Sequence, residues 1–247
     1  MILYFSATGN SKYVAKRIAA ATDDEIVSIP KCMDAGQFDF EDETIGVVAP
    51  TYFWCCPSII DEFLEKANFK AEYLYFIATC GTTPGAAGKL ANKMIKGRDI
   101  DAYFAVKMVD NYTPIFDIST KELQEKFLVD TERTIDDVIS KVKARKTVSH
   151  MKGSTPAFLS NLVAKPIYNL HGRKTSRFSV EDTCIGCGLC EKKCPVHAIE
   201  MENGRPKWVK NSCVMCLGCL HRCPKFSIQC GPKTKAHGQY LNPHVKI

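Results

Sequence analysis

Shifting the sequence by 29 positions lays one cysteine cluster on another. Cys184, Cys187, Cys190, Cys194 and Pro195 fall on Cys213, Cys216, Cys219, Cys223 and Pro224. Val180 falls on Val209 and Ile199 on Ile228, so each half reads C-x2-C-x2-C-x3-C-P. Eight of the chain's 13 cysteines sit in this repeat. In a reducing compartment that density argues for metal ligands and against a disulfide framework. Three thiolates on a tight loop can each hold one corner iron of a cube-shaped cluster. The fourth, followed by proline, points away and reaches the other cluster. The spacing therefore predicts two [4Fe–4S] clusters, one on Cys184, Cys187, Cys190 and Cys223 and one on Cys213, Cys216, Cys219 and Cys194. Small residues at Gly186, Gly188 and Gly218 let backbone N–H groups approach the sulfurs, which helps set a potential.

A zinc site needs two C-x2-C hooks and a longer loop, and a third cysteine three residues on, in both halves, exceeds that need. The repeat resembles the bacterial-type dicluster ferredoxins over residues 178–230, a small α+β domain. The charge fits this reading. Residues 1–150 hold 18 Lys+Arg against 22 Asp+Glu, net −4, whereas 151–247 hold 15 against 5, net +10. A basic half usually suggests nucleic acid. Two oxidised clusters on eight thiolates carry about −4 between them, which that excess offsets, so no nucleic-acid partner is expected. A module with so little apolar core also depends on its clusters to fold.

The first 150 residues alternate strand and helix patterns. Apolar runs at 2–5, 45–49, 72–79 and 102–109 read as strands, and 11–21, 59–67 and 84–96 repeat apolar residues at helical spacing. Ser119 and Glu122 predict a capping box. From there Leu123, Phe127, Thr131, Ile135, Val138 and Val142 predict one helix. Such alternation predicts an α/β fold, a doubly wound parallel sheet whose ligands bind at the carboxyl ends of the strands.

Four loops fall on that edge. Residues 6–11, Ser-Ala-Thr-Gly-Asn-Ser, open the first helix with hydroxyls and successive N–H groups. They form either an anion nest for a terminal phosphate or a helix cap with a tight turn. No G-x-G-x-x-G is present for a dinucleotide. Pro50-Thr51-Tyr52-Phe53-Trp54 brings three aromatics that either stack on a planar ring or fill core. Thr79-Cys80-Gly81-Thr82 can aim N–H groups at a ring edge, and Asp110-Asn111-Tyr112 follows the last strand. Residues 1–146 resemble a flavodoxin of the short type, with a five-stranded parallel sheet. That resemblance implies FMN, with Ser6, Thr8, Gly9, Asn10 and Ser11 at its phosphate, Tyr52 and Trp54 stacking on the ring, and Thr79, Cys80 and Gly81 at the ring edge. Ala7, Pro50, Thr51, Phe53 and Thr82 complete these loops, and Asn111 and Tyr112 add the fourth. The whole arrangement resembles the EFR1-type flavodoxin–ferredoxin fusion proteins.

Residues 147–177 carry five Lys or Arg, no acid and much apolar surface, so they read as a linker that docks on one or both domains. Pro156 and Pro166 argue against a long helix there, and hence against a membrane-surface role. The tail, 231–247, has no assigned place. Cys32, Cys55, Cys56, Cys80 and Cys230 read as small buried apolar residues, with Cys55 and Cys56 near enough to the aromatic loop for a redox role to stay open. The six histidines show no motif. No apolar run reaches the roughly 18–20 residues of a membrane span. The opening residues lack a secretory pattern, which predicts a cytoplasmic protein. The expected function is electron transfer between the clusters and FMN, exchanging with an external redox protein, a ferredoxin or an oxidoreductase. An FMN-dependent reductase of a small molecule and a zinc-bound nucleic-acid module are the competing readings.

Overall fold

The computed structural model describes residues 1–126, 128, 130–149 and 151–247. Seven strands occupy the amino-terminal part: β1 Ile2–Tyr4, β2 Ile26–Ser28, β3 Asp39–Glu41, β4 Thr44–Pro50, β5 Asn68–Lys70, β6 Tyr73–Cys80 and β7 Ala102–Lys107. Five of them form a parallel sheet in the order β2-β1-β4-β6-β7, as the alternation predicts. The other two, β3 and β5, make a small parallel ribbon that the sequence did not announce.

Successive side chains of a strand face opposite ways, and the two faces bury separate sets. Ile2, Val48, Tyr75, Ile77 and Val106 lie under α1 (Asn10–Thr22), through its Val14, Ala15 and Ile18. Leu3, Val47, Ala49, Phe76 and Ala78 lie on the other face with α2 (Ile29–Ala35), α3 (Ser58–Lys66) and α4 (Ala87–Met94). β6 is buried along its whole length. Burial on both faces explains why Tyr73-Leu-Tyr-Phe-Ile reads as an uninterrupted apolar run. Gly46 of β4 leaves room for the Tyr75 ring, since a Cβ there would come within 2.3 Å of it.

One predicted helix is two. α5 (Lys121–Glu125) starts at Thr120, whose hydroxyl accepts the Leu123 N–H at 3.3 Å, while Ser119 donates instead to Asp117. α6 (Thr131–Lys143) begins again after Asp130, whose φ of +64° no α-helix continues. Its Ile135, Val138 and Val142 pack under the sheet as the spacing requires. Phe127, placed on the same helix from sequence, and His150 lie outside the described residues.

The carboxy-terminal part is built twice. Strand β8 (Phe178–Val180) pairs antiparallel with β11 (Ile228–Cys230), and the hairpin β9 (Ile199–Glu202) to β10 (Arg205–Trp208) turns on Asn203-Gly204, both at positive φ. Short helices at Leu189–Lys192 and Gly218–His221 fall 29 residues apart, in register with the sequence repeat. The left-handed residues repeat as well: Gly186 with Met215, Gly188 with Leu217, His197 with Phe226.

The connector corrects a sequence expectation. Residues 157–172 are helical throughout, with Pro166 inside. Two π-turns, Ser160–Ala164 and Tyr168–Gly172, flank it, a local widening of the helix beside the residue that cannot donate a backbone hydrogen bond. This segment touches both parts of the chain. Its Tyr168 hydroxyl donates to the Val214 carbonyl at 2.8 Å, its Lys165 pairs with Asp61 at 3.0 Å, and its Ser160 carbonyl faces the Cys55 thiol. The tail is a strap across the same two parts. Tyr240 donates to Asn10, the Asn242 N–H donates to the Thr8 carbonyl, and the Gln239 amide donates to the carbonyls of Leu220 and Cys223.

Candidate functional site

The carboxyl ends of β1, β4, β6 and β7 open into one cavity of about 470 Å3. That is within the usual range for a cofactor or small-molecule site, roughly 300–1,000 Å3. The first loop supplies Ser6, Ala7, Thr8, Asn10 and Ser11 to its wall. Among the described residues the N–H groups of Ala7, Thr8, Asn10 and Ser11 donate to no protein acceptor, since the first bond of α1 runs from Tyr13 to Gly9, and free N–H groups of this kind are what an anion nest at a helix N-terminus requires. The Ser6 hydroxyl accepts the Gly9 N–H, and Ser11 and Thr79 share a hydrogen bond at 2.8 Å that ties the first loop to the third.

Two residues of the first loop are placed differently from the rest. Gly9 does not line the cavity. It turns the chain at φ +105° on the other side, where a Cβ would meet Asn242 at 2.7 Å. The Asn10 side chain is largely engaged by protein, donating one amide N–H to the Val109 carbonyl and accepting from Tyr240 and Asn242. Its backbone N–H and its second amide N–H remain for a ligand.

The aromatic loop is a tight reversal. Tyr52 and Cys55 exchange both backbone hydrogen bonds, which forces Phe53 and Trp54 to positive φ, 49° and 62°. A non-glycine residue there costs about 1–2 kcal/mol, a strain typical of functional loops. It leaves Trp54 43% exposed at the cavity rim. Phe53 turns into protein, with its ring 5.6 Å from Tyr168 and 5.7 Å from Tyr112. Pro50, Thr51, Tyr52, Phe53, Thr79, Cys80, Gly81, Thr82, Asn111 and Tyr112 all line the cavity. Burial pushes the Cys80 thiol up to about 12, so it is a neutral wall group. Cys55 and Cys56 are about 1% exposed and are not among the lining residues of the cavity; burial raises both thiols, the environment of small buried apolar residues.

Sequence reasoning missed Thr83, Met108, Val109, Ile115 and Phe116 of the loops and, with more consequence, three further contributors. Asp110 precedes the residues chosen from its loop, yet its carboxyl lines the cavity against Gly81, where a Cβ would meet it at 2.2 Å. Burial raises its pKa, with the Tyr112 N–H opposing. Val163, Ala164, Ile167 and Tyr168 of the connector form a wall, and so do Met215, Cys216 and Leu217 of the second cysteine loop. A departure within the repeat hinted at the last group. Gly186 and Gly188 become Met215 and Leu217, which hold the same left-handed backbone at about 1–2 kcal/mol each and place two buried side chains against the cavity.

The cysteine halves close on each other crosswise. Cys184, Cys187, Cys190 and Cys223 line one small cavity with Gly188 and Pro224. In the other half Cys194 is an electrostatic neighbour of Cys213, Cys216 and Cys219. The Ala198 N–H donates to the Cys194 sulfur and the Ser227 N–H to the Cys223 sulfur, both at 3.3 Å and 29 residues apart. The Met215 N–H donates to Cys213 at 3.2 Å. Among the described residues no group of three or more His, Cys, Asp or Glu is gathered closely enough to hold a single metal ion. The donor set is instead two open groups of four soft thiols with N–H groups aimed at the sulfurs, which suits a cluster larger than one atom. The halves differ in depth, since Cys187 is exposed and Cys213 buried.

Two side chains join the cysteine loops to the flavodoxin-like part. Buried His221 bonds the Asn111 carbonyl through Nε2 and accepts the Tyr240 N–H through Nδ1, so it is a neutral bridge. Arg222 reaches the carbonyls of Ser6 and Lys193, while its buried Nε has no partner. It stands beside Cys216, Cys219 and Tyr52 as the cation among them.

Comparison with known proteins matches two separate stretches of the chain. The family described as flavodoxin domain matches residues 1–110, and the family described as 4Fe-4S dicluster domain matches residues 183–228. An uncharacterized ferredoxin of Methanocaldococcus jannaschii is 47% identical over 45 residues, 18% of this chain; the chain spans 24% of that protein's length. Among solved structures, an archaeal flavodoxin aligns with 57% of this chain and 96% of its own at 17% identity and a TM-score of 0.31. The rubredoxin oxygen:oxidoreductase of Desulfovibrio gigas aligns with 58% of this chain and 36% of its own at 14% identity and a TM-score of 0.34. A match to a flavodoxin domain thus precedes a match to a 4Fe-4S dicluster domain in one chain, an order that supports a flavodoxin–ferredoxin fusion.

Proposed function

We propose that the chain passes electrons between two [4Fe–4S] clusters and FMN and exchanges them with an external redox protein. Cys184, Cys187, Cys190 and Cys223 would hold one cluster, and Cys213, Cys216, Cys219 and Cys194 the other. FMN would lie in the 470 Å3 cavity, its phosphate on the free N–H groups of Ala7, Thr8, Asn10 and Ser11 and its ring against Tyr52, Trp54 and the Thr79–Thr82 loop. One observation carries the proposal: Cys216 and Leu217 of the second cysteine loop are wall residues of that cavity. Flavin exchanges one or two electrons and each cluster one. The protein's own part is to keep these groups adjacent and to exclude water between them. Met215, Leu217 and Tyr168 fill that junction with apolar surface, and Arg222 offsets thiolate charge there. The deep half faces the flavin cavity and the exposed Cys187 half faces solvent, which supports entry of electrons from a partner at the first cluster. On this reading the modules span residues 1–146, 147–177, 178–230 and 231–247, in the cytoplasm.

A second reading has one observation behind it. The Asp110 carboxyl stands on the cavity wall with its pKa raised by burial, where it could serve as a proton source for reduction of a small molecule over the flavin. Anaerobic purification with iron, sulfide and flavin quantified on one sample tests the proposal. Roughly eight iron per chain with one FMN is the expected result. Colourless protein holding zinc would overturn it. Rapid exchange with ferredoxin favours the carrier, and turnover of a defined organic acceptor favours the reductase.

A further inference from the structure

The helical connector 157–172 is two-faced. Ser160, Ala164, Tyr168 and Gly172 recur at every fourth position and are buried against the rest of the chain. The opposite side carries Phe158, Leu159, Leu162, Val163, Ile167 and Leu170, with Leu162 75%, Phe158 67% and Leu170 65% exposed. A contiguous apolar surface of this kind marks an interaction site. Its charge has one sign: residues 147–178 hold five Lys or Arg and no acid. Lys165 is paired with Asp61 and Arg173 is bonded to the Cys213 carbonyl, but Lys152, Lys174 and Arg177 are exposed at the two ends.

We propose that this ridge docks the protein on the surface of a bilayer containing anionic lipid. The observations favour a lipid surface over a protein partner. The ridge is almost wholly aliphatic, apart from Phe158, whereas protein interfaces are anchored by Trp, Tyr and Arg in pockets. Leu, Ile and Phe on one face, with flanking cations and no acid, are the pattern of a helix lying in the headgroup plane. The segment lies on the surface and does not cross it: among the described residues no helix is long and apolar enough to span a membrane. Val163 and Ile167 belong both to the ridge and to the wall of the large cavity, whose rim also exposes Ile115 and Trp54. The docked protein therefore presents the mouth of its cavity to the membrane surface. This inference goes beyond the redox proposal and does not depend on it.

The test uses the full chain, purified anaerobically, floated with vesicles of phosphatidylcholine alone and of phosphatidylcholine mixed with phosphatidylglycerol. Flotation with the anionic vesicles only, weakened by added salt, is the expected result. Phe158→Ser with Leu162→Ser should lower bound protein about tenfold or more. Lys174→Glu should weaken binding at low salt and matter little at high salt. Both changes are at exposed positions, and unchanged iron content and far-ultraviolet circular dichroism verify the fold. No flotation, or equal flotation of the serine variant, overturns the proposal. So does sedimentation equilibrium showing a dimer that the serine variant dissociates, which would assign the ridge to a second copy of the chain.

Discussion

Asp61 shows how a single residue registers the docking of the connector. It lies in α3, its side chain 14% exposed, with one carboxylate oxygen paired to Lys165 and the other buried without a partner. Burial pushes its pKa up to about 6, Glu65 adds to the rise, and Lys165 and Arg173 oppose it. The native carboxyl thus holds its proton more tightly than the unfolded one, which titrates near 3.9. Stability from this group is present below about pH 4 and is lost as pH rises through about 6. A rise of that size is worth roughly 2–3 kcal/mol. Asp61→Asn should remove the dependence. Urea unfolding at pH 4.5 and at pH 7 should show the stability difference, wild type minus variant, falling by about 2 kcal/mol as pH rises. A pH-independent difference would place the Asp61 proton elsewhere. Nothing in the sequence marks Asp61, because its partner is 104 residues away and meets it only after the connector packs.

At the scale of elements, loops are held open or shut by where side chains are missing. Gly85, at φ +56°, packs on the backbone of Trp54, and a Cβ there would stand 2.3 Å from the Trp54 carbonyl oxygen. Gly97 has a comparable φ of +78° with nothing within 4 Å. Gly97→Ala should therefore cost only backbone strain, about 1 kcal/mol. Gly85→Ala should cost roughly 2 kcal/mol or more and should displace the aromatic turn. Chemical unfolding and the tryptophan emission of the two variants check the contrast; equal losses would mean that the turn yields freely. The same logic separates the two cysteine loops. The first uses Gly186 and Gly188 for its left-handed residues, and the second uses Met215 and Leu217 in the same conformation. The strain there is offset by burial of both side chains, at about 1.5–3 kcal/mol each, where they meet the flavodoxin part.

The whole molecule divides into a part with its own core and a part without one. The parallel sheet buries two continuous apolar clusters. The cysteine-rich part has one small cluster, shared with Tyr168 of the connector and Tyr112 of the last sheet loop. Metal binding should supply much of its folding free energy. Anaerobic iron chelation should leave amides of β4 and β6 protected from hydrogen exchange while those of β8 to β11 exchange freely. Retained protection across residues 178–230 would show that packing on the flavodoxin part suffices. The tail should follow the chelated half in part, because Tyr240 is held both by Asn10 and by His221.

What could be read without coordinates was local. The cysteine spacing, its 29-residue duplication and the strand–helix alternation each follow from residues within a few turns of one another, so the two modules and most loops of the cavity were legible. The break before α6 was not, because helical spacing continues through residues that take a left-handed backbone at Asp130. Pro166 misled for a similar reason, since the helix widens beside it in turns that only the packed connector shows. The wall residues Asp110, Tyr168 and Leu217 come from three distant segments. Gly9 turned out to face the tail and not the cavity. Chemistry and local conformation were properties of the residues themselves. Which of them share a cavity depended on burial between segments more than a hundred residues apart, and that is decided only when the surfaces of the folded elements meet.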